Sequence, residues 1–396
     1  MLYFAHSDLS LSEVLSLFAS VPYTLASKQA YDEIISSIDG KSKTPQTLFS
    51  GYYDNFVKGI NGVFSSPSDL SARLQSSVAR FSAYKAQKVT SLLNETRNRY
   101  AKDSEYKTVA KAILNTYNRY QATEYNTCVA RSRTAKQWEN FMKPENIKAL
   151  PNIRWVPSRS AKPREAHIPF YNRVWAKNDP FWDDNQPGSL WNCKCDWQET
   201  FEPVTDNPQF KSTAQQGLKL NPAKSGEIFS SDATYFRVRN KAQVEKNCQL
   251  SFAKITEKTA KKSLLDTTAQ CTIKEENKEV SKDVIFTSKG IKHCSGDMLN
   301  KIDFWLKSVI LPNIDKYIKT AKYIGKKKSD ITHNTKKDTV KLKENTDYFY
   351  YFEIALPNGK KCYLHLGHYK DNLKENGGKM YLYSISSNLP KNIKAI

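Results

Sequence analysis

The sequence predicts an α+β protein in two parts: an N-terminal helical assembly leading into a loop-rich, tryptophan-rich core, then a separate small α+β domain with a curled antiparallel sheet. Three observations predict it. Apolar and aromatic residues recur at helical spacing through the first 145 residues. The stretch Ile153 to Glu199 holds five of the seven tryptophans (Trp155, Trp175, Trp182, Trp191, Trp197). Beyond Val284 a helical pattern gives way to β-prone runs separated by Asn-Gly and Gly-Gly turns. A chain of 396 residues is long for one core. The expected divisions are a helical region over 1–145, a tryptophan-rich core over 146–240, a polar linker over 241–282 and an α+β domain over 283–396.

In chain order, Ser12 to Ser20 and Ser27 to Ile38 read as short helices, the second carrying Tyr31, Ile34, Ile35 and Ile38 on one face. Asp39-Gly40 closes it. Pro45 opens a segment with Leu48, Phe49, Tyr52, Tyr53, Phe56 and Ile60 at helical spacing. After Ser66-Pro67, one stripe holds Leu74, Val78, Phe81 and Leu92, and a cleaner one Tyr106, Val109, Ile113, Tyr117 and Tyr120. Such a tyrosine stripe is more often core than a stacking platform for bases. From Arg154 onward Pro157, Pro163, Pro169, Pro180 and Pro187 punctuate loops and short strands. Five indoles in one stretch need a shared burial site, since each large ring hides on the order of 150–250 Å².

Residues from about Asn240 to Lys282 are polar without strong periodicity and read as a linker or a loosely packed helix. In the last part Ile302, Trp305, Leu306, Val309, Ile310 and Ile314 form a helical face that Pro312 bends or ends. The run GKKKSDITHNTKKD reads as a charged loop. Tyr348 to Leu356 is a strand, Pro357-Asn358-Gly359-Lys360 a hairpin turn, and KCYLHLG and KMYLYSIS are the strands that follow.

Composition restricts the function classes. The formal charge is +21, from 61 basic and 40 acidic residues, which favours a polyanionic partner, DNA or RNA first and an anionic membrane second. A lysine-rich solvated surface is the alternative for the same totals. Arginine stops at Arg239. From Ser281 onward there are 22 lysines against 11 acidic residues, and lysine makes point-charge contacts suited to phosphate backbone rather than to base edges. Seven cysteines, an odd number in a large chain, fit reduced thiols and synthesis in the cytoplasm. No run of eighteen apolar residues crosses a membrane, and the N-terminus lacks the pattern of a signal peptide.

His167, Cys193 and Cys195 are three ligands of the type zinc prefers, with Asp179, Asp183, Asp184 or Asp196 available to complete a tetrahedron. A structural zinc ion is one reading. The other has His167 hydrogen-bonded in the tryptophan-rich core and the thiols buried as small hydrophobes.

The same residues carry a resemblance. Arg164 and His167, the Asp179 to Trp182 turn, Pro187 and the Trp-Asn-Cys-Lys-Cys run resemble the core of the phage Mu F-like minor head proteins, also called head morphogenesis proteins. Val129 to Phe141 is similar to that family's arginine-containing helix, and Leu220 to Phe236 to its closing segment, so the likeness covers roughly residues 10 to 237. Where the family usually has an acidic residue, seven positions before the histidine, this chain has Ser160. The resemblance therefore implies the packing role and not chemistry that needs that carboxylate. It further implies a virion protein of the phage head, made in the host cytoplasm, with portal or capsid proteins as partners.

From about Val284 to Ser387 the order of elements is similar to phage-borne nuclease domains of the barnase, EndoU, colicin and RelE type, which occur fused behind such cores. That resemblance implies a ribonuclease-like toxin or effector, with RNA as substrate and room for an immunity protein. The reaction is attack of a ribose 2′-hydroxyl on its own phosphate, which needs a base, an acid and a cation but no metal or other cofactor. His293 is the first choice for proton transfer, because imidazole ordinarily titrates near neutrality, with Lys292 and Lys289 beside it for phosphate. His365 alternates with Cys362, Leu364 and Leu366 and so shares the opposite face with Tyr363; Glu353 joins that face if the hairpin pairs it with Tyr363 or His365. Tyr383 and Ser386 stand ready for phosphate or base. The competing expectation is a purely structural virion protein whose lysine-rich domain binds nucleic acid without cleaving it.

Overall fold

The computed structural model describes residues 27–158, 160–275, 278–299, 301, 303–329, 344–390 and 393–395. The helix expected over Ser12 to Ser20, Ile302 and most of the charged loop lie outside the described residues. The fold is α+β, and the chain divides into two compact units. One comprises residues up to Val63 and Lys85–Leu220, the other Phe64–Tyr84 and Asn221–Ile396. The boundaries thus differ from those expected. Leu220 to Phe236 was expected to close the first part, yet from Asn221 it belongs to the second, where Phe229, Tyr235 and Phe236 pack their rings on Phe81.

The first unit is helical at its start. α1 (Ser27–Ser36) buries Ile34 and Ile35, and α2 (Gln46–Val63) buries Leu48, Phe49, Tyr52, Phe56 and Ile60, as the spacing predicts. α3 (Asp69–Arg99) contributes Lys85 onward to this unit, and α4 (Asp103–Phe141) runs for 39 residues. On α4 the buried stripe is not the tyrosine one. It passes through Ala110, Leu114, Asn118, Gln121, Glu124, Cys128, Arg131, Ala135 and Trp138, while Tyr120 is 43% exposed. The cause is a buried polar cluster: Lys85 Nζ lies 2.5 Å from Glu124 Oε2 and 2.8 Å from Gln121 Oε1, and sits over the Tyr52 ring. A buried ammonium must be paired, so the helix turns its carboxylate inward; of the expected stripe Tyr106 stays buried, while Tyr117 is half-buried and Tyr120 faces solvent.

Beyond α5 (Pro144–Ala149) the three-stranded sheet β2-β1-β3 forms from β1 (Asn152–Val156), β2 (Val174–Ala176) and β3 (Asp196–Thr200), all antiparallel. Trp155, Trp175, Trp182 and Trp197 are buried, and Trp175 stacks on Phe181 at 4.1 Å. The tryptophan-rich stretch is a packing centre, with Trp191 at its half-buried rim.

In the second unit the stretch read as a linker or a loosely packed helix is a packed helix followed by a strand hairpin. α8 (Lys241–Leu264) follows the short helices α6 (Phe181–Asp184) of the first unit and α7 (Pro222–Ser225) of the second; it buries Cys248, Phe252, Ala253, Thr256, Ala260 and Leu264. That face has helical spacing but is built largely of small or weakly polar residues, so it reads as polar. β4 (Thr268–Glu275) and β5 (Lys278–Ile285) then pair as a hairpin, with Ala269, Cys271 and Ile273 buried in alternation. They close one side of a seven-stranded sheet, order β10-β6-β7-β8-β9-β5-β4. The other strands are β6 (Lys322–Lys328), β7 (Thr346–Ala355), β8 (Lys361–Tyr369), β9 (Met380–Ser386) and β10 (Lys394–Ala395). Gly325 to Lys328, read as the start of a loop, belong to β6. All neighbours are antiparallel except β5 and β9, which run parallel for Val284↔Met380 and Ile285↔Tyr381.

After that short pairing α9 (Ser288–Asp297) lies along β9. Gly290 is required there, because a Cβ would come 2.5 Å from the Leu382 carbonyl oxygen. α10 (Phe304–Ile310) ends in a 3-10 turn at Pro312 before α11 (Ile314–Lys319), as the proline predicts.

The buried pair in the first unit makes a stability prediction. Glu124→Gln leaves the Lys85 ammonium without its carboxylate and should lower the unfolding free energy by about 3 kcal/mol, whereas Lys85→Met with Glu124→Leu should recover most of it. Urea unfolding of Lys85→Met, of Glu124→Leu and of the double variant measures the coupling; additive losses would contradict it.

Candidate functional site

The hairpin has the predicted register. Glu353 pairs with Tyr363 and Tyr351 with His365, and Leu356 and Gly359 close the turn, Gly359 at φ 77°. Across β8 and β9, Tyr363 pairs with Ser386 and His365 with Ser384, with an irregularity after His365. The irregularity brings Tyr383 onto the face that carries Phe349, where the two rings are 4.8 Å apart.

His293 stands on α9 against this strand. Its ring stacks on Tyr383 at 4.2 Å, and its Nδ1 lies 3.0 Å from the Tyr383 carbonyl oxygen. A carbonyl only accepts, so Nδ1–H donates and the neutral ring keeps its lone pair on Nε2. The ring is half-buried, and Lys289 and Lys292 on the same helix are exposed. Tyr383 is the residue brought against His293; Lys289 lies one turn before it on α9, and Lys292 is its neighbour in the chain.

His365 is placed differently. Its Nδ1 shares a 2.9 Å hydrogen bond with the Ser384 hydroxyl, its ring meets Tyr351 edge-on, and its Nε2 is buried without a partner. Burial lowers its pKa from the ordinary value to about 4, against the pull of Asp297. Glu353 is held by Lys361 at 2.9 Å, and the Ser386 hydroxyl accepts from the Asn388 N–H. Neither joins the His293 constellation through a hydrogen bond. The residue that sequence reasoning missed is Asp297, one helical turn beyond His293, whose charge acts on both Tyr383 and His365. The four-residue spacing was the available signal. Lys307 was missed too: it is fully buried and reaches the Ser387 hydroxyl.

A cleft of about 370 Å³ in the same unit contains none of the predicted residues. Arg73, Arg80, Lys301, Glu227, Glu245 and Asp303 line it, three cations and three carboxylates. Arg80 pairs with Glu245 at 3.4 Å, and Glu245 also accepts from Trp305 Nε1 at 2.7 Å. The three cations and three carboxylates balance in number, so the lining offers an anion no excess of positive charge.

In the first unit His167, Cys193 and Cys195 come together, their ligand atoms within 4.8 Å of one another. His167 is fully buried, and its Nε2 is 3.1 Å from the Ser189 hydroxyl. Its Nδ1 faces the Cys193 sulfur at 3.4 Å and the Cys195 sulfur at 3.6 Å. The Cys193 and Cys195 side chains share a hydrogen bond, which together with His167 favours ionisation at Cys193. None of the four aspartates joins the cluster. Asp179 caps the Phe181 N–H, Asp184 pairs with Lys219, and Asp196 accepts from Gln137. All seven cysteines are free thiols.

No protein-family model matches the chain, and comparison with curated proteins and with solved structures finds no match. Among the described residues no helix is long and apolar enough to cross a membrane.

His365 has a pH consequence. Its folded pKa, about 4, lies below the ordinary 6.5, so between these values the unfolded chain binds the proton and the native one does not. Its contribution, at most about 3 kcal/mol, is complete above pH 6.5 and fades as pH falls toward 4. Urea midpoints taken from pH 7 to pH 4 should fall less steeply for His365→Asn than for the parent; parallel curves would refute the assignment.

Proposed function

We propose that the second unit is a metal-independent endoribonuclease and that the first is a scaffold of the phage Mu F-like minor head type, so that the chain is a virion protein carrying an effector. The observation that supports the enzymatic half is the His293 arrangement: a half-buried imidazole whose Nδ1 proton is committed to a main-chain carbonyl, leaving Nε2 as a base, beside two exposed lysines and a stacked tyrosine. In the reaction His293 Nε2 takes the ribose 2′-hydroxyl proton and the 2′-oxygen bonds to phosphorus. The bond from phosphorus to the 5′-oxygen breaks, and that oxygen takes a proton from water. Lys289 and Lys292 offset charge on the phosphate. The products are a 2′,3′-cyclic phosphate and a 5′-hydroxyl. Buried Nε2 and a pKa near 4 argue against His365 as a proton donor at neutral pH, and its role is to hold the sheet face behind Tyr351.

The head-assembly half is supported by the resemblance of the Arg164 to Cys195 block, together with the hydrogen bonds by which Arg131 on α4 holds that block at Gly188 and the later loop at Leu220. Portal or capsid proteins are its partners under this reading, and an immunity protein would restrain the second unit in the producing cell.

The full chain, incubated with tRNA in the presence of a chelator, should yield 2′,3′-cyclic ends, and His293→Ala should slow cleavage by about 10²–10⁴-fold. Intact RNA, or cleavage indifferent to His293→Ala, would remove the nuclease reading; steeply salt-dependent binding of nucleic acid without cleavage would favour the binding module instead. For the scaffold half, peptide mass spectrometry of purified heads from a producing strain should find the chain, and its absence there would sink that assignment.

A further inference from the structure

We infer that His167, Cys193 and Cys195 hold a zinc ion, with the ring bound through Nδ1 and both sulfurs bound as thiolates. The separation of the donors carries the inference. A tetrahedral zinc with usual bonds of about 2.0 Å to nitrogen and about 2.3 Å to sulfur places nitrogen and sulfur about 3.5 Å apart. His167 Nδ1 stands 3.4 Å and 3.6 Å from the two sulfurs. Ordinary packing imposes no such equality on two sulfurs around one nitrogen.

The surroundings agree independently. His167 Nε2 is tied to the Ser189 hydroxyl, which leaves Nδ1 as the metal-facing nitrogen; a metal-bound histidine commonly donates its other N–H in this way. Trp155 Nε1 and the Tyr171 hydroxyl are buried and make no hydrogen bond to nitrogen or oxygen. Both lie beside the Cys195 sulfur. The Cys195 sulfur is the acceptor that these two donors otherwise lack, and a cysteine sulfur bound to a metal keeps lone pairs to accept them. Two thiolates and an imidazole select zinc over magnesium or calcium, which take oxygen ligands. Among the described residues no fourth protein donor joins the three. Cys195 is half-exposed, so the remaining position is open to a ligand from outside this set. The ion would fasten the 3-10 turn Glu165–Phe170, which carries His167, to the segment that leads into β3.

The full chain purified without chelator should carry about one zinc, released by a mercurial and counted with a chromophoric chelator. Cys193→Ser and Cys195→Ser should each abolish it, and Cys248→Ser, in the other unit, should not. Loading the parent with cobalt should give thiolate-to-cobalt charge-transfer absorption, a readout that holds even if the serine variants fail to fold. Alkylation followed by mass spectrometry should find Cys193 and Cys195 shielded until a chelator is added. A folded, metal-free chain that binds cobalt without a charge-transfer band would overturn the inference. So would a Cys193–Cys195 disulfide in protein purified under reducing conditions, or alkylation of both thiols at equal rates with and without chelator.

Discussion

The first unit depends on one buried cation. Arg131 is wholly enclosed, and its guanidinium donates to the carbonyl oxygens of Gly188 at 3.1 Å and Leu220 at 2.8 Å. Burial pushes its pKa down to about 9, so it stays charged at neutral pH. A planar fork of donors can span two carbonyls that a lysine could not. Gly188, at φ 91°, is there because a Cβ would strike the Arg131 chain at 2.9 Å. One turn on, the Thr134 hydroxyl donates to the Pro187 carbonyl. The long helix therefore holds the loop that delivers Ser189 to His167 and, four residues later, Cys193 to the same ring. The loop lies outside any sheet, and its other ties are local turns, the Gln215 segment and the Thr127 hydroxyl.

How much of this could be read from the residues depends on what kind of residue carried each feature. Strand alternation in β7, β8 and β9 and the Asn-Gly turn were legible, because strongly β-prone aromatic residues with a single turn signal leave few registers open. The tryptophan cluster was legible for the same reason of size. The face of α4 was not: the apparent stripe is aromatic, and the buried one contains Asn118, Gln121, Glu124 and Arg131, whose burial is affordable only through tertiary partners on α3 and in the loops. α8 hid behind cysteine, alanine and threonine, which pack well and score as polar or neutral.

The candidate sites were legible in membership more than in role. His293 and Tyr383 meet, and so do His167, Cys193 and Cys195, which lie far apart along the chain. Roles needed the surroundings. His365 is next to nothing a substrate could reach with its Nε2, which alternation along a strand cannot reveal. The aspartates near the Cys-x-Cys pair were attractive by proximity in sequence, but Asp179 caps a turn, Asp184 pairs with Lys219 and Asp196 accepts from Gln137. Asp297 entered only when a helix was seen to lie against the sheet.

That helix has a consequence for how freely the chain can change. His293 is oriented by the main chain of β9, and a peptide carbonyl survives replacement of whatever side chain it carries. Position 383 can therefore drift, trading its aromatic ring for another group and altering what stacks there, while the tautomer of the neighbouring imidazole is inherited unchanged. The same contact covers a stretch of β9 beyond its short pairing with β5, so a single placement of a ring against the main chain both sets the tautomer of one imidazole and occupies an acceptor that the neighbouring strand leaves open.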